Sequence, residues 1–244
     1  MADQDEILLY QAPRAFGVPN PSPFCIKLET WLRFAELPYR MVPCPDPRRG
    51  PKGKIPFVKV GGETIGDSEF IIAALRERYD VDLDRGMPAA DRAVASAFTR
   101  LFEEHLYWIA VRARWLEPQA FEVLKKAFFA RLPTPQRQIL PGVVQRKLRR
   151  TLEAQGLGRH EPADIYRKGE HDLQAVSDFL GAKPYLMGDV PRTVDATAFG
   201  VLTSIIDAQI DTPLQPVGGG FKNLVDYTVR IRGKYFADLE AKAV

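Results

Sequence analysis

Apolar residues at Cys25, Leu28, Leu32 and Ala35 recur at the spacing of one helix face within the stretch Ser22 to Glu36. The flanking segments read differently. EILLYQ (6–11) and PYRMVP (38–43) are short runs of strand-forming residues, and IPFVKVGGETIG (55–66) has the form of a hairpin turning at Gly61-Gly62. Helical spacing returns from Ser68 to Tyr79, where Ile71, Ile72, Leu75 and Tyr79 share a face opposite Glu69, Arg76, Glu77 and Arg78. The order β-α-β, then β-β-α, predicts a small four-stranded mixed sheet with one right-handed crossover and an antiparallel hairpin.

Beyond the polar, Gly- and Pro-containing segment VDLDRGMPAAD (81–91), which reads as a linker, the pattern is helical almost to the end. Arg92 to Leu116 reads as one long helix with Ala97, Leu101, His105 and Trp108 along one stripe. Further helical patterns cover 120–132, 143–155, 163–180, 196–209 and 221–235, separated by the breakers PTPQ, GLG, GAKP and DTPLQPVGGG. The predicted architecture is an α/β domain (1–80), a linker (81–91) and an all-helical domain (92–244). There is no internal repeat and no low-complexity tract.

Composition narrows the classes. The 244 residues are 45% apolar, enough to fill a core without disulfide staples. The net charge of +3 is far from that of a dedicated nucleic-acid binder. Within the basic stretch QRKLRRTL (145–152), Arg146, Lys147, Arg149 and Arg150 run around a helix with few aromatics between them, which reads as a solvated face. Cys25 and Cys44 do not make a secreted disulfide framework, and with His105, His160 and His171 they offer no metal-ligand spacing, so no metal is expected and a reducing, cytoplasmic compartment is. The start MADQDEILLYQ is acidic where a signal peptide is basic, and neither the apolar runs nor the end KYFADLEAKAV suits a membrane span.

Three segments carry candidate chemistry. In PNPSPFC, Ser22 is a strong N-cap residue and Pro23 suits the first helical position, so the amides that follow would attract an anion such as a thiolate. A plain cap fits the same residues. Ser22 and Cys25 also have the spacing of a Cys-x-x-Cys motif whose first thiol is missing, which disfavours intramolecular disulfide exchange, and Cys25 lies on the apolar stripe. In GKIPFVKV, Pro56 stands at the start of a strand; in GETIGDSEF, Asp67 and Ser68 stand between strand and helix, where they could serve as caps or hold an ammonium and a carboxylate.

Taken in order, Ser22-Pro23, Pro56 within KIPF and Asp67-Ser68 resemble the N-terminal domain of the glutathione S-transferase superfamily. The strings PNPSPFCIKLETWLRFAELPY, GKIPFVKVGGETIGDSEFII and YLMGDVPRTVDATAFGVL look most like the branch that contains failed-axon-connections proteins and metaxins. The resemblance implies a thioredoxin-like first domain, an all-helical second domain and a homodimer. It implies a cis Pro56, glutathione as co-substrate, and transfer of its thiolate to an electrophilic small molecule. Ser22 would hold the thiolate, Ile55 the cysteinyl backbone, Asp67 and Ser68 the γ-glutamyl group and Lys54 the glycyl carboxylate. Apart from the resemblance, the aromatic cluster FEEHLYW (102–108) reads as core or crevice wall; if it lines the crevice, Tyr107, Trp108 and Arg112 would shape the electrophile site. A non-catalytic interaction or stress-response module and a Cys25-dependent thiol transferase are the rival readings. The family places Ser or Thr three residues before the Asp of a capping box in the second domain; here that place is Arg192 and the threonine is Thr193, so the box is expected to be shifted or open, with Asp195 as the cap.

Overall fold

The computed structural model describes residues 6–240; the expected domain ends at 1–5 and 241–244 lie outside the described residues. Strands β1 (Ile7–Gln11), β2 (Tyr39–Pro43), β3 (Phe57–Val60) and β4 (Glu63–Gly66) form one sheet in the order β2-β1-β3-β4. β1 pairs with β2 in parallel, through Ile7 opposite Tyr39, and with β3 antiparallel; β3 and β4 form the hairpin that turns at Gly61-Gly62. Helix α1 (Pro23–Phe34) makes the crossover and α2 (Ser68–Tyr79) follows β4. The mixed sheet and hairpin expected from the sequence are therefore present.

The helical half comprises α3 (Ala89–Arg100), α4 (Tyr107–Trp115), α5 (Pro118–Phe129), α6 (Gln136–Gln155), α7 (Pro162–Leu180), α8 (Thr193–Ile206), α9 (Leu214–Gly220), α10 (Lys222–Tyr235) and α11 (Ala237–Glu240). Several boundaries differ from the sequence reading. The expected single helix at 92–116 is interrupted by a π-helical segment, Leu101–Leu106, and its buried stripe is Phe102, Leu106, Ile109 and Ala113 rather than the stripe through Ala97, Leu101 and His105. The wider turn points Glu103 inward, where its carboxylate meets Lys27 at 2.6 Å. α6 begins seven residues early and runs through Pro141. α9 occupies part of the expected breaker DTPLQPVGGG, anchored by the fully buried Leu214. The 81–91 stretch is tied down rather than loose: Arg192 donates to the Leu83 and Arg85 carbonyls, the Thr193 N–H donates to Asp84, and α3 already starts at Ala89.

The capping box of α8 is closed. Asp195 accepts from the Arg192 N–H at 2.8 Å, and the Arg192 carbonyl accepts in return from the Asp195 N–H. The same carboxylate takes the Leu186 N–H at 2.8 Å and the Tyr227 hydroxyl at 2.9 Å. An arginine can stand at this cap because its backbone supplies both halves of its share, so the Ser or Thr hydroxyl is dispensable.

α1 and α8 are buried on nearly every side, polar residues included: Lys27, Glu29 and Thr30 of α1 and Asp195, Thr197, Thr203 and Ser204 of α8 lie inside with the apolar ones. Ile26, Leu28, Leu32 and Trp31 of α1 are fully excluded from water, each aliphatic side chain contributing about 1.5–3 kcal/mol. The two helices cross at Gly200, where an added Cβ would stand 2.5 Å from the Pro23 carbonyl oxygen. One apolar cluster runs from the sheet through this crossing to α10.

A charged centre lies inside α1. The Glu29 carboxylate, wholly buried, accepts from Gln11 at 2.7 Å, Arg14 at 2.7 Å, Tyr39 at 2.8 Å and Arg33 at 3.1 Å. Burial pushes its pKa up, but the hydrogen bond and charge of Arg14, with Gln11 and Tyr39, outweigh that and hold the carboxyl below its ordinary 4.5. Arg33 continues the chain of contacts to the Tyr235 carbonyl and to Asp238, more than 200 residues later in the chain.

Two outcomes follow for stability. Gly200→Ala should cost about 1–3 kcal/mol, because the obstructing atoms are backbone and cannot rotate away, and differential scanning calorimetry should read this as a Tm lowered by at least about 2 °C. Glu29→Gln should cost about 3–5 kcal/mol in urea unfolding at neutral pH. A carboxyl with a depressed folded-state pKa stabilises above its unfolded value, so the wild-type advantage should be full above pH 4.5 and fade as pH falls through the lower folded value.

Candidate functional site

The sheet register brings three separate segments to one end. Tyr10 opposes Phe57, and Phe57 opposes Gly66, so the C-terminal end of β1, the N-terminal end of β3 and the C-terminal end of β4 lie side by side. The loop from β1 to α1, the Ile55-Pro56 bond and the Asp67-Ser68 junction therefore share that edge. The loop before β3 folds back against it, with Pro51 so close to Gly66 that a Cβ there would stand 2.7 Å from the Pro51 Cβ.

Ser22 is the N-cap residue of α1 in extended conformation, half-buried, and its side chain makes no capping hydrogen bond. The reading of Ser22 as a plain side-chain cap is thus not what the structure contains. The groups on either side of the cap are settled in other ways. Pro23 at the first helical position has no N–H to satisfy, and the Ser22 N–H is taken by Asn20 Oδ1 at 3.1 Å. Asn20, wholly buried, also donates to the Ala12 carbonyl at 2.8 Å, so the loop is fixed from both ends. The Ser22 side chain instead lies against the Cys25 thiol, at a helix start whose first amides have no partner within the helix.

The Ile55-Pro56 bond is cis, with Pro56 buried and Ile55 half-buried, and Lys54 stands exposed just before it. Asp67 has φ 80°, a conformation L-residues rarely hold, and accepts from the Glu69 N–H at 3.1 Å as the cap of α2. Ser68 is buried at the first position of that helix while Asp67 remains exposed. Two helix N-termini thus open at one end of the sheet, both suited to negative charge.

Tyr107 of α4 meets this end from the helical half, its ring edge-on to Phe24 with centroids 4.9 Å apart, and Trp108 lies against Tyr107 at 5.2 Å. Arg112, about 140° further round the helix than Tyr107, is engaged by Glu117 and Tyr166 instead. The sequence reading missed Arg114. Seven residues after Tyr107 and so on the same face, it is buried and donates to the Pro21 carbonyl at 3.0 Å and to the Ser204 carbonyl, locking the turn before Ser22 onto α8. Burial pushes its pKa down to about 10, with Tyr107 opposing. The interval of seven was the available signal, but an arginine in WIAVRARW gives no sign from sequence of which of its neighbours it will hold.

Cys25 is wholly buried, and burial pushes its thiol up to about 12 although the neighbouring Ser22 side chain and the Ala12 backbone favour the thiolate. Cys44 is buried as well, its Sγ 3.3 Å from the Asp46 carbonyl.

A thioredoxin-like sheet domain packed on a helical domain, with a serine at the first helix start, a cis-proline before the third strand and an Asp-Ser junction before the second helix, defines the glutathione S-transferase class. Residues 23–120 match the glutathione S-transferase N-terminal domain and residues 169–231 the glutathione S-transferase C-terminal domain. The chain belongs to the glutathione S-transferase family: it is 32% identical over 239 residues to the isoprene-epoxide–glutathione S-transferase of Rhodococcus sp. (strain AD45), a match covering 94% of this chain and 99% of that protein. It is also 35% identical over 254 residues to Failed axon connections of Drosophila melanogaster, covering 97% of this chain, and 31% identical to metaxin-1 of Macaca fascicularis, covering 91% of this chain and 72% of that protein. The chain spans 59% of the length of Failed axon connections. Among solved structures, the glutathione S-transferase of Ceriporiopsis subvermispora in complex with glutathione shares the fold, with TM-score 0.60 and 20% identity over 95% of this chain and 98% of that one. Among the described residues no helix is long and apolar enough to cross a membrane, and no group of His, Cys, Asp and Glu is placed to hold a metal ion.

With both thiols this deeply buried, iodoacetamide at mildly alkaline pH should leave Cys25 and Cys44 unmodified in the native protein and label both in denaturant, as read by intact mass.

Proposed function

We propose that the protein binds glutathione at the end of the sheet where α1 and α2 begin, and transfers its thiolate to an electrophilic small molecule. The observation that carries this reading is the N-cap serine whose hydroxyl caps nothing, set at a helix start beside the cis-proline and the Asp67-Ser68 junction. The Ser22 hydroxyl donates to the glutathione sulfur and favours its ionised form. Ile55 offers its backbone to the cysteinyl part, Asp67 pairs with the γ-glutamyl ammonium, Ser68 and the α2 amides take its carboxylate, and Lys54 takes the glycyl carboxylate. The sulfur lone pair forms a bond to an electrophilic carbon held against Tyr107 and Trp108, and the displaced group leaves with its bonding electrons. The likeness to an isoprene-epoxide–glutathione S-transferase favours a small epoxide, whose ring oxygen would take that pair. On this reading the protein works as a homodimer in a reducing, cytoplasmic setting.

Likeness to Failed axon connections and metaxin-1 favours a second reading, an interaction module without turnover. Calorimetry with glutathione at millimolar concentration and kinetics with a model epoxide separate the two. The transferase reading expects saturable binding, and expects Ser22→Ala to lower kcat/KM about a hundredfold while glutathione is still bound. The rate against pH should then follow a thiol closer to the free value of about 8.5. Absence of saturable binding would sink the reading, and binding without turnover in the wild type would favour the module.

A further inference from the structure

The hairpin made by α5 and α6 is unlike the rest of the surface. Residues 118–155 hold eight Lys and Arg against two Glu, a net of +6 in a chain whose total is +3, so the remainder of the molecule carries −3. One of those bases, Lys125, is partly offset by Glu122 at 3.1 Å. The same hairpin exposes aliphatic side chains that have no place on an ordinary solvated face: Ile139 is 57% exposed, Val143 49% and Leu140 37%, and every residue from Pro133 to Leu140 is exposed.

The orientation of α6 is fixed by what it buries. Leu152 is inside the fold, and Gln145 donates to the Trp115 carbonyl at 3.0 Å. The opposite stripe, Ile139, Val143, Arg146 and Arg150, follows helical spacing and faces outward, with Leu140 and Lys147 beside it. Its first half is aliphatic and its second half basic. A shallow groove runs along the basic half between Val143, Arg146, Lys147, Arg150, Thr151 and Ala154.

We infer that this hairpin is a docking surface for an anionic lipid bilayer, with Ile139, Leu140 and Val143 entering the boundary between headgroups and acyl chains and Arg146, Lys147 and Arg150 lying among the lipid phosphates. Charge and apolar depth together select this occupant. A nucleic acid would use the bases but has nothing to set against three aliphatic side chains, and its own bases would seek an aromatic face. The hairpin's exposed ring, Phe128, is already stacked on Trp115 and edge-on to Phe16. A bilayer surface uses both halves of the stripe. The negative remainder of the molecule is repelled by the same surface, so the charge asymmetry turns the hairpin toward it.

Co-flotation with phosphatidylcholine vesicles, with and without phosphatidylserine, tests the inference. The full chain should float with the phosphatidylserine vesicles, little with phosphatidylcholine alone, and less as salt rises. Arg146→Glu/Lys147→Glu/Arg150→Glu should weaken binding about tenfold or more. Ile139→Ser/Leu140→Ser should also weaken it but leave the residual binding salt-dependent. All five positions are on the surface, and unchanged thermal unfolding verifies that the variants fold; were the triple variant not to fold, lipid and salt dependence of the wild type decide alone. The inference is overturned if the wild type binds neither vesicle or both equally, if the triple variant floats like the wild type, or if duplex RNA at the same salt displaces the protein from vesicles.

Discussion

A single buried carboxylate holds the first half of the molecule in register. Glu29 sits in the middle of α1 with no access to water, and the donors around it come from β1 (Gln11), the loop that follows (Arg14), the next turn of α1 (Arg33) and β2 (Tyr39). An unpaired charge at that depth would be prohibitively costly, so the elements that carry these donors must all arrive together. Because Arg33 also reaches Tyr235 and Asp238, the requirement extends to α10 and α11 of the helical half.

The candidate site inherits its geometry from that constraint. Arg14 joins Glu29 to the Pro19 carbonyl, Asn20 joins Ala12 to Ser22, and Arg114 joins Pro21 to Ser204, so each part of the loop before α1 is held by a different neighbour. A loop fixed in this way can present a serine hydroxyl without spending it on the helix cap. Packing against α8 at Gly200 sets how closely the start of α1 approaches the helical half, and Tyr107 closes on Phe24 from the same direction. Position and chemistry at Ser22 are thus products of both halves of the chain.

Charge is handled in two opposite ways in this protein. Inside, Glu29 and the Lys27–Glu103 pair are matched by partners within hydrogen-bonding distance. Outside, the α5–α6 hairpin gathers an excess of bases over acids next to unburied aliphatic residues. The first arrangement specifies a fold, and the second costs solubility unless another surface covers it.

Local pattern alone settled the strands, the hairpin at Gly61-Gly62 and the span of α1, because a period of 2 or 3.6 and a pair of glycines are properties of neighbouring residues. The serine, proline and Asp-Ser segments were legible for the same reason, and their order was enough to suggest the family. What the sequence could not carry was any feature made by residues far apart. The loop before Ser22 is set by Asn20 reaching the Ala12 carbonyl and Arg114 reaching the Pro21 carbonyl. The inward turn of Glu103 depends on Lys27, from a helix 76 positions earlier, lacking a partner without it. Arg192 serves at a cap because Asp195 and the chain near Leu83 meet it in space. Arg114 was invisible for a similar reason, since its acceptors are backbone carbonyls, which every residue has and no sequence marks. Hydrogen-bond partners across the fold are chosen by tertiary packing, and only the structure decides them.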